Sequence, residues 1–250
     1  MNTLAKQRLS SAEVAWSLRD IDTLCVDLWG TVARSDNREP IKDTQRILGY
    51  KLDSLDDNDI TSVDESFLNV CLTTDEKEPE PFLFSVAKRF SLSVDDRMVE
   101  DFEKVIHEEA VCSGIFFDAK TAMKALSLRG FKMVLVSNLW PFPVECLFAE
   151  DNLGKYFPEQ YRVYSFREGV SKPDPELFRR VHGRAGSSPE RCLMIGDSLE
   201  NDIIPAMAIG MKTCLIDRKG VYSDDVIPQG VLVIRSMEAL LEILPGVNRA

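Results

Sequence analysis

Asp22-Thr23-Leu24-Cys25-Val26-Asp27-Leu28-Trp29-Gly30-Thr31 is a short apolar run closed by an acid, an indole and a glycine. It reads as a buried strand ending in a tight loop, with Gly30 permitting the sharp exit. Asp27 then stands at the carboxyl end of a strand. In an open α/β sheet that end is where ligands bind.

Working outward, the chain downstream alternates regularly. A helix is expected from about Ala119 to Leu128, stopping at Gly130. Strands are expected at Lys132–Val136, Tyr161–Ser165, Arg191–Ile195, Lys212–Ile216 and Val231–Ile234, with a helix from about Glu200 to Ile209. Strands separated by helical segments imply a parallel sheet covered on both faces. Upstream, Ser10-Ser11-Ala12-Glu13 has capping-box spacing, which predicts a short helix over about Ala12 to Leu18.

Between Val32 and Asp118 the character changes. Apolar residues recur at helical spacing over Phe82–Arg89 and Asp95–Glu109, and Ser93 or Asp95 could cap the second of these helices. Thr73 to Pro81 reads as a polar, proline-containing loop. The whole region reads as a helical insertion. It carries 21 acidic against 10 basic residues, so it holds the entire formal charge of −11. That balance argues against nucleic acid, whose phosphates need a basic footprint. A solvated helical face explains it; so would a cationic group on a substrate or partner.

The chain has 250 residues, 44% hydrophobic and 28% charged, ordinary for a globular protein able to bury a substantial core. Its six cysteines show neither CxxC pairing nor zinc spacing, and several lie in apolar runs, which favours a reducing compartment. The first residues form no continuous apolar run, and no stretch approaches the roughly 20 apolar residues of a membrane span. A cytoplasmic protein is expected.

Four polar clusters follow apolar strands. Asp27 could attack phosphorus or carbon, or ligate Mg²⁺; it could equally cap a helix. Ser137-Asn138 could hold phosphate oxygens or simply form a turn. In Ser171-Lys172-Pro173-Asp174-Pro175 the prolines hold Lys172 just before a helix, where an ammonium could neutralise a carboxylate and a phosphoryl group. The alternative there is an exposed lysine in a turn. In Gly196-Asp197-Ser198-Leu199-Glu200-Asn201-Asp202 two carboxylates suit an oxygen-ligated hard cation; capping by Ser198 with acids in the first turn is the alternative.

All four lie at strand ends, in order, in one α/β chain. In this order they resemble the four motifs of the haloacid dehalogenase superfamily, over about Leu24 to Ile216. The resemblance implies a Rossmann-like, doubly wound parallel sheet as a core domain (residues 1–31 and 119–250) with a helical cap domain at 32–118. It also implies roles. Asp27 would be the nucleophile and a Mg²⁺ ligand, joined at the metal by the Trp29 carbonyl, Asp197 and Asp202. Lys172 would orient Asp27, and Ser137 would bind the transferring group. Asn138, Trp29 and Thr31 are expected around the substrate, a small and phosphorylated molecule. No nucleic acid or membrane partner is expected, and the chain would be a monomer or homodimer.

One position departs from the pattern. Phosphatases of this superfamily usually carry a second Asp two residues after the nucleophile, as general acid and base. Here that residue is Trp29, which cannot titrate. Dehalogenases proper also lack that Asp, and usually lack the metal-binding acids as well. Phosphonatase-like enzymes keep the metal but need a cap lysine, for which Lys42, Lys51, Lys77 and Lys88 are available. A catalytically weak, partner-binding protein is the remaining alternative. His107 and His182 read as surface or packing residues. Trp140-Pro141-Phe142-Pro143 reads as core packing or as an apolar wall near the site.

Overall fold

In the computed structural model, residues 18–36, 39–52, 63–143, 147–149 and 152–247 are described. The expected helix over Ala12 to Leu18 falls almost wholly outside them. The elements in chain order are β1 (Thr23–Val26), β2 (Ala33–Ser35), α1 (Pro40–Ile47), α2 (Glu65–Thr73), α3 (Pro79–Arg89), α4 (Asp96–Cys112), β3 (Ser113–Ile115) and α5 (Phe117–Leu128). There follow β4 (Lys132–Ser137), β5 (Arg162–Tyr164), α6 (Ser165–Glu168), α7 (Pro175–Ala185), β6 (Cys192–Gly196), α8 (Ile204–Ala208), β7 (Lys212–Ile216), β8 (Leu232–Ile234) and α9 (Leu240–Ile243).

Among the described residues the main sheet has six strands in the order β5-β4-β1-β6-β7-β8, all paired in parallel. Counted along the chain within this sheet, the order is 3-2-1-4-5-6, the Rossmann-like arrangement. The chain builds outward from β1 through β4 to β5, then crosses back to start β6 on the other side of β1. That reversal leaves a crevice at the carboxyl ends of β1 and β6. One apolar layer packs β1, β4 and β6 against α5 and the C-terminal helix, and another packs the opposite face against α7. Every residue of β1 is buried, because both faces are covered.

The strands follow the apolar runs to within a residue or two. Ser165 leaves the strand and opens α6, while Ser137 joins β4. The Thr73–Pro81 loop is shorter than expected: Pro79 occupies the first turn of α3, where its missing N–H costs nothing. Asp95, rather than Ser93, caps α4 by accepting from Met98 N. The expected helix at Glu200 begins instead as a π-type turn over Leu199–Ile203, before α8. Such widened turns cluster at functional sites, and this one carries Asp202.

Between β1 and β4 lie α1–α4, flanked by a two-stranded antiparallel ribbon, β2 with β3. Three-residue strands leave too little alternation to be legible in sequence. The helices close over an aromatic core of their own, with Phe67, Phe82 and Phe102 fully buried. Trp140 and Phe142, from the loop after β4, complete that core. Their rings meet Phe82 and Phe102 edge-on at centroid distances of 5.0–5.9 Å. The Trp140 indole donates to Glu109 Oε2 at 2.8 Å. A second link runs from Ser171 Oγ to Asn69 Oδ1 at 2.9 Å.

Burial pushes the Glu109 carboxyl up to about 7, against the opposing indole hydrogen bond. The folded state therefore keeps this proton longer than the unfolded chain, whose glutamate titrates near 4.5. Its contribution to stability is complete below pH 4.5 and is lost as pH rises through 7. Glu109→Gln should remove that loss, on the order of 3 kcal/mol at pH 8. Urea unfolding of the two proteins at pH 5 and pH 8 checks this; equal pH dependence would refute it.

Candidate active site

Asp27 follows β1 directly, and its backbone N–H donates to Ile195 O of β6 at 2.9 Å. The chain turns at once: Val32 N and Ala33 N both donate to Leu28 O, and Gly30 N to Ala33 O. The Asp27 carboxylate is thereby fixed at the switch point, 4% exposed.

Lys172 reaches it from the loop before α7. Its Nζ donates to Asp27 Oδ1 and to Asp202 Oδ1, each at 2.6 Å. Asp202 Oδ2 in turn accepts from Ser198 N at 3.1 Å. Ser198 Oγ also accepts from Asn201 N, so capping and site-building coexist in this turn. Carboxylate oxygens of Asp27, Asp197 and Asp202 all lie within 4.8 Å of one another.

Two glycines make this convergence possible. A Cβ on Gly30, whose φ is +72°, would sit 1.9 Å from Asp197 Oδ2. A Cβ on Gly196 would sit 2.3 Å from Asp202 Cγ. Any side chain at either position must displace an acid of the cluster.

The charges do not balance, since three carboxylates face one ammonium. Burial, with repulsion from Asp202 and Asp197, pushes Asp27 up to about 7 although Lys172 opposes it. Burial and Asp202 likewise push Asp197 up to about 6. Burial works against the charge of Lys172, yet Asp202 and Asp27 raise it above the ordinary lysine range. A largely buried, oxygen-only donor set with excess negative charge fits a hard divalent cation such as Mg²⁺.

The other expected residues sort differently. Ser137 ends β4 and is 1% exposed, its hydroxyl 3.4 Å from Asn138 O. The Asn138 amide is occupied by the backbone of Lys172: Nδ2 donates to Lys172 O at 3.0 Å and Oδ1 accepts from Lys172 N at 2.7 Å. It holds the lysine loop in place. Thr31 is fully buried and donates to Asp27 Oδ2 at 3.2 Å. Trp29 is half-buried and packs on the main core. His107 is exposed on α4, and His182 is half-buried on α7. Lys42 is buried and pairs with Glu39 at 3.1 Å, whereas Lys51, Lys77 and Lys88 are exposed. Asp217 and Arg218, behind β7, also stand at a strand end. They lack a motif string, and reading by motif passes over them.

The family model of haloacid dehalogenase-like hydrolases matches residues 21–210, and the chain belongs to that family. A glyceraldehyde 3-phosphate phosphatase of Pyrococcus furiosus is 34% identical over 95 residues, 37% of this chain and 39% of that protein. The chain spans less than half the length of the first curated relatives it matches: 39%, 26% and 43%. Among solved structures, a 2-haloacid dehalogenase from Pseudomonas syringae superposes with TM-score 0.62 at 20% identity, covering 90% of this chain and 98% of that one. A family enzyme from Bacteroides thetaiotaomicron, in complex with magnesium and inorganic phosphate, superposes with TM-score 0.53 at 18% identity, covering 83% of this chain and 100% of that one. Among the described residues no helix is long and apolar enough to cross a membrane.

Removing the ammonium should leave two buried carboxylates facing each other. Lys172→Met is therefore expected to destabilise the metal-free protein by about 3–5 kcal/mol at pH 8. The loss should shrink at pH 5, where the acids can take up protons. Denaturant unfolding at both pH values tests this, and a variant as stable as the parent at pH 8 would contradict it.

Proposed function

We propose that the chain is a Mg²⁺-dependent phosphohydrolase of a small phosphorylated metabolite, acting through a phosphoaspartate on Asp27. The observation that carries this is the convergence of Asp27, Asp197 and Asp202, their carboxylate oxygens within 4.8 Å of one another, with Lys172 bonded to Asp27 and Asp202. Dehalogenation needs no metal, so three converging acids at the switch point favour phosphoryl transfer. The phosphatase among the relatives, and the neighbour holding magnesium and phosphate, support the same reading.

Asp27, Asp197, Asp202 and the Trp29 carbonyl would hold the ion. When bound, Mg²⁺ neutralises charge on the phosphoryl oxygens. A carboxylate oxygen of Asp27 attacks phosphorus and the bond to the leaving oxygen breaks; water then hydrolyses the phosphoaspartate. Lys172 favours the ionised carboxylate and offsets charge as it develops. Ser137 would donate to a phosphoryl oxygen, while Asn138 holds Lys172 and Thr31 orients Asp27. Residues 32–118 form a cap over the core (residues 1–31 and 119–250), excluding water and selecting the substrate. The free cysteines Cys25, Cys71, Cys112, Cys192 and Cys214 support a reducing, cytoplasmic location.

Trp29 limits the chemistry. With no group there to protonate a poor leaving group, the best substrates are aryl or acyl phosphates. Phosphate release from these should require Mg²⁺, stop with EDTA and fall to background in Asp27→Asn; an unchanged Asp27→Asn rate would remove the nucleophile. Trp29→Asp should raise turnover of alkyl phosphates by about 10²–10⁴-fold. No gain would mean that the indole shapes the pocket for another reaction. Trp29 also favours a second reading, carbon-centred hydrolysis. Chloride release from 2-haloacids that survives EDTA would establish a dehalogenase. Borohydride trapping of substrate on the buried Lys42 would establish a phosphonatase-like route.

A further inference from the structure

We propose that Arg218, with Tyr222, is a positioning residue that sets the geometry of the carboxylate cluster and ties it to the two crossings of the inserted helical segment. The inference rests on the metal-site reading above and names residues outside its motifs.

Both side chains come from one loop behind β7. Asp217, 3% exposed, organises it by accepting from Gly220 N at 2.8 Å, Val221 N at 2.9 Å and Tyr222 N at 3.3 Å. From this rigid turn the Arg218 guanidinium makes three directed contacts. Nε donates to Gly30 O at 3.2 Å, Nη2 to Thr31 O at 2.7 Å, and Nη1 to Asp118 Oδ2 at 2.9 Å. The same group stacks on the Phe116 ring, 3.9 Å from its centroid. The planar fork of arginine suits such simultaneous bonds, which a lysine cannot reproduce. Tyr222 donates its hydroxyl to Asp197 O at 3.2 Å.

These contacts converge on the cluster. Gly30 lies directly against the Asp197 carboxylate, and Thr31 donates to the Asp27 carboxylate. Fixing the Gly30 and Thr31 carbonyls therefore fixes the surfaces on which two of the three acids rest. Tyr222 holds the backbone of Asp197 through its carbonyl. One loop thus spans the nucleophile strand and the fourth motif.

Arg218 also sits where the chain leaves the core and where it returns. The outgoing chain passes Thr31 and Val32. The returning chain passes Phe116, whose N–H donates to Val32 O at 3.0 Å, and then Asp118. Asp118 Oδ2 also accepts from Met237 N at 2.8 Å, which anchors the return to the core. A shift of either crossing must strain the guanidinium, and through it the loop behind Asp27.

The test compares the full chain with Arg218→Gln, Arg218→Lys, Tyr222→Phe and Arg129→Gln. Arg129 also clamps backbone carbonyls, those of Leu241 and Leu244, but away from the cluster. Calorimetry with Mg²⁺ alone reads affinity without turnover, and steady-state assays with an aryl phosphate separate kcat from KM. Arg218→Gln is expected to weaken Mg²⁺ binding by about 10–100-fold and to lower kcat more than KM changes. Arg218→Lys should recover part of both. Tyr222→Phe, which removes one hydroxyl and keeps the ring, should weaken Mg²⁺ about 2–10-fold even where Arg218→Gln fails to fold. Arg129→Gln should lower the Tm and leave Mg²⁺ affinity unchanged. Parent-like Mg²⁺ affinity in folded Arg218→Gln or Arg218→Lys, together with Tyr222→Phe, would overturn the inference and leave the metal site intact. A parent chain that binds no Mg²⁺ would remove the site reading, and the inference with it.

Discussion

The Lys172 ammonium holds carboxylates from two different strand ends, Asp27 behind β1 and Asp202 beyond β6, at 2.6 Å each. Burying those acids is costly, and without a cation between them the site would shed charge by taking up protons. Several otherwise unrelated features keep this one contact in place. Asn138 grips the lysine's own backbone, Gly30 and Gly196 leave room for the acids, and Ser198 turns Asp202 inward. The ammonium offsets only part of the negative charge. The excess of carboxylate charge, carried entirely by oxygen donors, is the physical case for a divalent cation.

The same region joins one core layer of the main sheet to the core of the inserted helices. The loop after β4 starts at Ser137 and Asn138, beside the acids, and runs on to Trp140 and Phe142 inside the aromatic core of the inserted helices. Leu139, between them, is held by the Ser165 hydroxyl, which accepts from its N–H at 3.0 Å and donates to its carbonyl at 3.1 Å. The loop that carries Asn138 to the lysine backbone is therefore packed directly into the inserted helices. Arg218 supplies a second connection, at the crossings. The inserted helical segment is thus joined to the site at two points.

Trp29 gives the site its individuality. The backbone around it is kept: Gly30 turns, Thr31 donates to Asp27, and the acids converge. Only the side chain that would handle a proton is gone. In the phosphohydrolase proposed above, attack by Asp27 would be separable from protonation of the leaving group, and the chemistry would favour substrates that depart unaided.

The sequence by itself determined the sheet, its parallel sense and the identity of the acids and the lysine. Buried strands are written as short apolar runs, and the polar residues that end them fall at the carboxyl edge. It also marked Trp29 as a departure. Tertiary structure alone decided which of those polar groups touch. Asn138 faces the lysine backbone, Thr31 faces Asp27, and Trp140 belongs to the inserted helices. Arg218 reaches across 187 residues to Thr31. Hydrophobic periodicity records which side of an element is buried, a local property. The direction of an amide or a guanidinium depends on what packs opposite it, and that partner lies far away in the chain.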